Sequence, residues 1–241
     1  VWTRIGNYTA STKTLDPELL TLVKTLNPGG PKYNRFWSMR FKNNRLYTTA
    51  GGWGHLIDSH NPGAIQVLDG DAWEIYQDSG FTAQTGIKYI DVNTIDVDPR
   101  DASHVMAGAK AGLYEFYNGR FQKLYNSKNS LIESFNGSSM NYQMITGTCY
   151  DRSGNLWLFE SQAPNRSLME YTADGKWKSI DKPEFMTLRD NSTGKMKSAG
   201  SMEGLFFDSR DLLWMCNNHS DLPALYCYQP STDAVRAYTS F

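Results

Sequence analysis

The sequence predicts an all-β fold: about four four-stranded blades of a β-propeller, part of a larger or incomplete ring. Three observations carry this. A pattern of strand, polar turn, two strands, polar turn and strand recurs with a period of roughly 55 residues. Seven Trp, fourteen Tyr and eleven Phe among 241 residues suit pleated, half-buried strands better than helices. Asn, Asp and Gly gather at the reversals, as at Asp69-Gly70, Asn118-Gly119 and Asp174-Gly175, where tight hairpins need positive φ.

The elements follow in order. Val1 to Asn7 reads as the isolated outer strand of a preceding blade. A helix is predicted next, with Asp16 as N-cap and Pro17 in the first turn. Leu15, Leu19, Leu22, Val23 and Leu26 would form its apolar stripe, and Asn27-Pro28-Gly29-Gly30 would stop it. Residues 1–32 therefore form one division and residues 33–241 the other, with blades at about 33–80, 88–127, 141–181 and 200–241.

The third and fourth blades match best. The third reads MITGTCYD, RSGN, LWLFES, SLMEYTA, DGK, WKSI, and the fourth MEGLFFD, SRDL, LWMCNN, ALYCYQP, STD, AVRAYTSF. In both, Trp follows Asp by six residues: Asp151 to Trp157 and Asp208 to Trp214. Phe41 to Tyr47 keeps that step in the first blade, and the second has a longer first hairpin. Leu46, Leu156 and Leu158 are expected to face adjacent blades, with Trp73, Phe121 and Trp177 starting the outermost strands. One sheet cannot bury both its faces, so the blades depend on stacking. Propellers close with four to eight blades. Four blades after a stray outer strand read as a piece of a longer ring, or a ring of few blades, that self-associates if left open.

Charge and motifs narrow the function. The net charge is −1, and the scattered Lys and Arg form no stripe for nucleic acid. No apolar run is long enough to span a bilayer. Cys149, Cys216 and Cys227 form no C-x-x-C pair, so no zinc site is expected. They read as buried thiols, although Cys216 and Cys227 could pair if adjacent strands bring them together. Asp96, Asp98 and Asp101 read as turn residues rather than calcium ligands. Arg35, Arg40 and Arg45 read as solvated strand-edge charges, and His55, His60, His104 and His219 as histidines without a metal. No nucleophile elbow, P-loop or H-E-x-x-H occurs, so neither catalytic residues nor a cofactor are expected.

Ligand contact is expected in two loops that follow the second strand of a blade. One carries Trp53, His55 and His60, the other Asn217, His219 and Asp221. Aromatic rings stack on sugar faces, and amides bond to hydroxyls. Residues 181–198 form a longer polar insertion.

The segments IDVDPRDASHVMAG, GLYEFYNGRFQKLYNSKNSLIES and YDRSGNLWLFES resemble PorZ-type propeller proteins of Bacteroidetes. They also resemble two-component-regulator propeller repeats, and the likeness extends over residues 33–241. The D-R-S-G-N-L-W element is also similar to the Asp-box of sialidases, itself a structural hairpin. The resemblance implies an exported protein of the periplasm or cell surface. On that basis the chain is expected to be a non-catalytic binding or scaffold module, as in the type IX secretion system, with protein or glycan and lipopolysaccharide partners. The alternatives are a periplasmic glycan-sensing propeller of a hybrid two-component system and a carbohydrate-active enzyme.

Overall fold

The computed structural model describes residues 7–10, 20–24, 30–54, 57–200, 202–218 and 223–239. They divide into two units, Val1–Lys32 and Tyr33–Phe241. In the first, β1 (Asn7–Ala10) pairs antiparallel with β2 (Leu20–Lys24), Ala10 opposite Leu20. The helix expected here is thus replaced over Leu20–Lys24 by a strand. Leu20 and Leu22 fit a period of two as well as a helical stripe, and β-branched Thr21 and Val23 favour extended backbone. The predicted cap at Asp16, and Leu15, Leu19 and Leu26 of the stripe, lie outside the described residues, as do residues 1–6.

Among its described residues the second unit contains four antiparallel four-stranded sheets. The first orders β3 (Met39–Lys42), β4 (Arg45–Thr49), β7 (Ala64–Asp69) and β8 (Ala72–Gln77). Between β4 and β7 lies a small hairpin of β5 (Trp53–Gly54) and β6 (Ile57–Asp58). The second sheet comprises β9 (Val92–Val97), β10 (His104–Ala109), β11 (Gly112–Tyr117) and β12 (Arg120–Tyr125). The third comprises β13 (Ile145–Tyr150), β14 (Leu156–Glu160), β15 (Leu168–Tyr171) and β16 (Trp177–Ile180). A two-stranded hairpin of β17 (Leu188–Arg189) and β18 (Met196–Lys197) precedes the fourth. That sheet comprises β19 (Met202–Phe207), β20 (Leu213–Asn217), β21 (Leu225–Gln229) and β22 (Ala234–Tyr238). The first strands β3, β9, β13 and β19 lie innermost, each against the next.

Each junction between sheets buries its own core. Tyr47, Ile65 and Val67 of the first sheet meet Ile95, Val105 and Phe116 of the second. Met106 and Leu113 of the second meet Leu156, Leu158 and Met169 of the third, so both leucines face a neighbouring blade as expected. Trp157, Phe159 and Leu168 of the third meet Leu205, Leu213, Met215 and Tyr226 of the fourth. A short helix, α1 (Phe81–Thr85), adds Phe81 to the first junction, stacked on Phe121 at 4.3 Å between ring centroids.

The repeated Asp-to-Trp step is a hydrogen-bonded hairpin lock. Trp157 Nε1 donates to Asp151 Oδ2 at 3.2 Å, and Trp214 Nε1 donates to Asp208 Oδ2 at 3.0 Å. The other oxygen of each carboxylate closes the turn, accepting the N–H groups of Ser153 and Asn155 at Asp151 and of Arg210 and Leu212 at Asp208. Asp98 starts the matching turn by accepting the Arg100 N–H at 2.8 Å. The first sheet departs from this. Tyr47 lies opposite Arg40, whereas Trp157 lies opposite Cys149 and Trp214 opposite Phe206. Its hairpin is a tighter reversal at Asn43 and Asn44, with φ of 50° and 61° and no Asp.

Arg40 is not a solvated edge charge. It stands on an innermost strand, and its Nη2 donates to the carbonyls of Thr148, at 3.3 Å, and Leu205. One side chain of the first sheet thus reaches the inner strands of the third and fourth. All three cysteines are free, and Cys216 is exposed rather than buried. Cys216 lies opposite Leu225 and Cys227 opposite Trp214, so the two thiols sit two residues out of register. Among the described residues, no helix is long and apolar enough to cross a membrane.

Candidate functional site

The sequence-predicted loops stand on the first and fourth sheets. Trp53 opens the small hairpin opposite Asp58, and His55 lies outside the described residues. His60 is exposed, with φ of 51°. The N–H groups of His60 and Asn61 donate to the two Asp91 oxygens at 3.1 and 2.8 Å, which pins this loop to the start of the second sheet. Burial pushes the Asp91 carboxyl up. Asn217 ends β20, is buried, and its backbone N–H donates to the Ala224 carbonyl at 2.8 Å. His219 and Asp221 lie outside the described residues.

A larger concavity forms where the sequence reading placed only a polar insertion. A groove of about 780 Å³ is lined by Phe135, Gln162, Asn165, Leu188, Arg189 and Asn191, among others. Three segments build it: the connection into the third sheet, the loop between β14 and β15, and the insertion. The insertion first makes a 3-10 turn, Pro183–Phe185, whose Phe185 packs edge-on against Phe159 at 5.6 Å. It then folds into the β17–β18 hairpin. Asp190 closes that hairpin by accepting the N–H groups of Ser192 and Thr193 and pairing with Lys197 at 2.5 Å. Lys197 Nζ lies 4.2 Å from the centroid of the Phe135 ring and donates to the Phe135 carbonyl at 3.3 Å. This ties the insertion to the connecting segment.

The walls are fixed as firmly. Glu133 accepts from the Asn165 and Arg166 N–H groups at 2.8 and 3.0 Å, from Asn165 Nδ2 at 3.0 Å and from Arg166 Nη1 at 2.8 Å. Gln162 Nε2 donates to the Tyr142 hydroxyl, and the Tyr142 ring packs on Phe135 at 5.2 Å. Beneath them the fully buried Glu160 carboxyl accepts the Glu133 N–H. Burial holds the Glu160 carboxyl well above the usual carboxylate range. Phe135 remains 37% exposed, and Asn191 lines the same groove. An apolar ring beside amides can stack a pyranose face and bond its hydroxyls.

A second cluster is ionic. His104 donates from Nε2 to Glu115 at 2.8 Å and, when protonated, from Nδ1 to Asp98 at 3.4 Å. Glu115 also accepts from the Tyr125 hydroxyl, which meets the Tyr171 hydroxyl across the junction at 3.1 Å. The bond to Glu115 raises the His104 pKa above 6.5 despite burial, and the same bond lowers that of Glu115. A raised folded-state value means that the stabilisation is fully present below pH 6.5 and is lost as pH rises through the folded value. His104→Gln is therefore expected to lower Tm at pH 5.5 more than at pH 8.5. Thermal unfolding across that range checks this, and an equal loss at both ends would contradict it.

No family model and no curated protein matches the sequence. Solved structures do. PorZ of Porphyromonas gingivalis superposes with a TM-score of 0.72 at 20% identity, over 89% of this chain and 28% of that one. The chain is a β-propeller. An extracellular domain assigned to a one-component system of B. thetaiotaomicron matches this propeller with a TM-score of 0.53 at 15% identity, over 90% of this chain and 24% of that one. A GH74 xyloglucanase of Xanthomonas campestris matches with a TM-score of 0.50 at 15% identity, over 80% of this chain and 29% of that one. The propeller therefore spans about a quarter of the length of each of these proteins. At these identities the shared property is the fold, whose blades serve a surface component, a sensor domain and an enzyme alike.

Proposed function

We propose that this chain is a non-catalytic binding module of an exported cell-envelope protein, and that the groove beside Phe135 seats a saccharide ligand. The observation that carries this is the groove itself, a concavity of three segments locked by Lys197, Glu133 and Gln162 around an exposed aromatic ring. Rigid walls lower the entropy lost on binding. The likeness to PorZ, described as an essential bacterial surface component of the type-IX secretion system, supports the envelope setting. The loops bearing Trp53, His55 and His60, and Asn217, His219 and Asp221, are proposed as further contacts with protein or lipopolysaccharide partners.

The test is titration calorimetry with oligosaccharides released from bacterial envelope polysaccharides. Phe135→Ala is expected to weaken binding about tenfold, which corresponds to about 1.4 kcal/mol. Equal binding by that variant would remove the groove from the proposal. A second reading, supported by the likeness to the one-component extracellular domain, makes the chain the ligand-binding propeller of a sensor. The full-length sequence separates the two by what it encodes beside these residues. Saccharide turnover that disappears on changing one acidic residue would overturn the non-catalytic assignment in favour of an enzyme.

A further inference from the structure

We propose that the innermost strands hold a small oxyanion, a carboxylate or a phosphate group, between Arg40 and Lys42. A cavity of about 300 Å³, at the lower end of the range for small-molecule sites, lies among the four sheets. Arg40 and Lys42 of β3, Asp96 of β9, and Asp151 and Asp208 of the turns after β13 and β19 line it. These turns stand at the end of the blades opposite the β14–β15 loop, so the cavity is separate from the groove beside Phe135.

Both cations stand on the side of the first blade that meets the second. Arg40 lies opposite Tyr47, which belongs to the core shared by those two blades, and Lys42 reaches toward Asp96 of the second. The site is thus made by contacts among the four blades themselves.

The acids of the cavity have spent their oxygens. Asp96 is 1% exposed and accepts the N–H groups of Val97 and Tyr150 at 3.0 and 2.7 Å. Asp151 accepts from two backbone N–H groups, from Asn155 Nδ2 and from Trp157 Nε1. Asp208 accepts from two backbone N–H groups and Trp214 Nε1, and the Arg210 guanidinium neutralises it at 3.0 and 2.6 Å.

The cations have not. Arg40 Nη2 is held by the Thr148 and Leu205 carbonyls, which fixes the guanidinium, but its buried Nε has no hydrogen-bond partner among the described residues. Lys42 Nζ lies 3.9 Å from Asp96 Oδ1, beyond hydrogen-bond reach. A buried donor left unpaired is costly, which favours a ligand that accepts from it. Guanidinium and ammonium groups together select an acceptor that is also negatively charged.

The test is titration calorimetry of the whole chain with inorganic phosphate and, separately, with acetate, at an ionic strength fixed with sodium chloride. At least one of the two is expected to bind saturably at one site per chain, the tighter one showing whether the site suits a tetrahedral anion or a carboxylate. Lys42→Gln should weaken that binding about tenfold through loss of one charge-assisted hydrogen bond. It breaks no bond between blades, and near-UV circular dichroism like that of the wild type confirms that it is folded. Lys128→Gln, which makes the same charge change outside the cavity, should bind as the wild type does. The Arg40 Nε–H resonance should shift with the bound anion. Failure of both anions to bind, equal binding by Lys42→Gln, equal weakening by Lys128→Gln, or an Arg40 resonance unmoved at saturation would each overturn the proposal.

Discussion

Replacing Trp157 by alanine is expected to destabilise the chain by about 3–5 kcal/mol, as for other buried aromatic side chains. Trp157 is 4% exposed at the junction of the third and fourth blades, with its ring 5.8 Å from Phe207 and 5.7 Å from Tyr228. Its loss leaves a cavity whose walls are strands held by their own ladders and unable to collapse. It also removes one donor from Asp151 Oδ2, which keeps a second donor in Asn155 Nδ2 at 2.8 Å. Trp157→Phe retains most of the volume and isolates the hydrogen bond, for a loss of about 1 kcal/mol. The same residue in the next repeat gives an internal control: Trp214→Ala should cost less, because Trp214 is only half-buried. Urea denaturation of the three variants checks the ranking. Equal losses at Trp157 and Trp214 would mean that burial at the junction does not set the cost.

Gly51→Ala is expected to cost at least the 1–3 kcal/mol of an overpacked core. A Cβ at this position would lie 1.8 Å from the Val92 carbonyl oxygen, so the obstruction is backbone and cannot rotate away. Either the end of β4 or the innermost strand β9 must move, and the junction of the first two blades moves with it. The contrast is Gly70→Ala, where nothing lies within 4 Å but φ is +57°. That change costs only the conformational penalty, about 1 kcal/mol. A Tm for Gly51→Ala close to that of Gly70→Ala would show that the close approach carries no weight.

Much of the fold was legible because the blade's chemistry is local. The Asp of each turn, the Trp six residues on and the Asn-Gly or Asp-Gly reversals all interact within one hairpin. Where a signal was ambiguous, the reading failed: Leu20 and Leu22 fit either period, and only pairing with β1 makes them a strand. Arg40 was misread because its partners, Thr148 and Leu205, stand on blades far away in sequence. The groove was hidden for the same reason. Phe135, Gln162 and Lys197 lie in three connections, each an ordinary polar stretch, and only the stacking of blades sets them side by side. Cys216 was expected to be buried because thiols usually are, and its equivalent Phe159 is buried, but Cys216 itself is exposed.

Stacked repeats ordinarily unfold like a zipper, because each unit is coupled only to its neighbours. Arg40 changes that rule, since its guanidinium joins the first blade to the third and the fourth, neither of which shares a buried core with it among the described residues. An end blade that frays must first surrender bonds to two partners across the axis. The central side chain therefore turns a row of semi-independent sheets into a cooperative body, in which loss of the first blade is felt at the last.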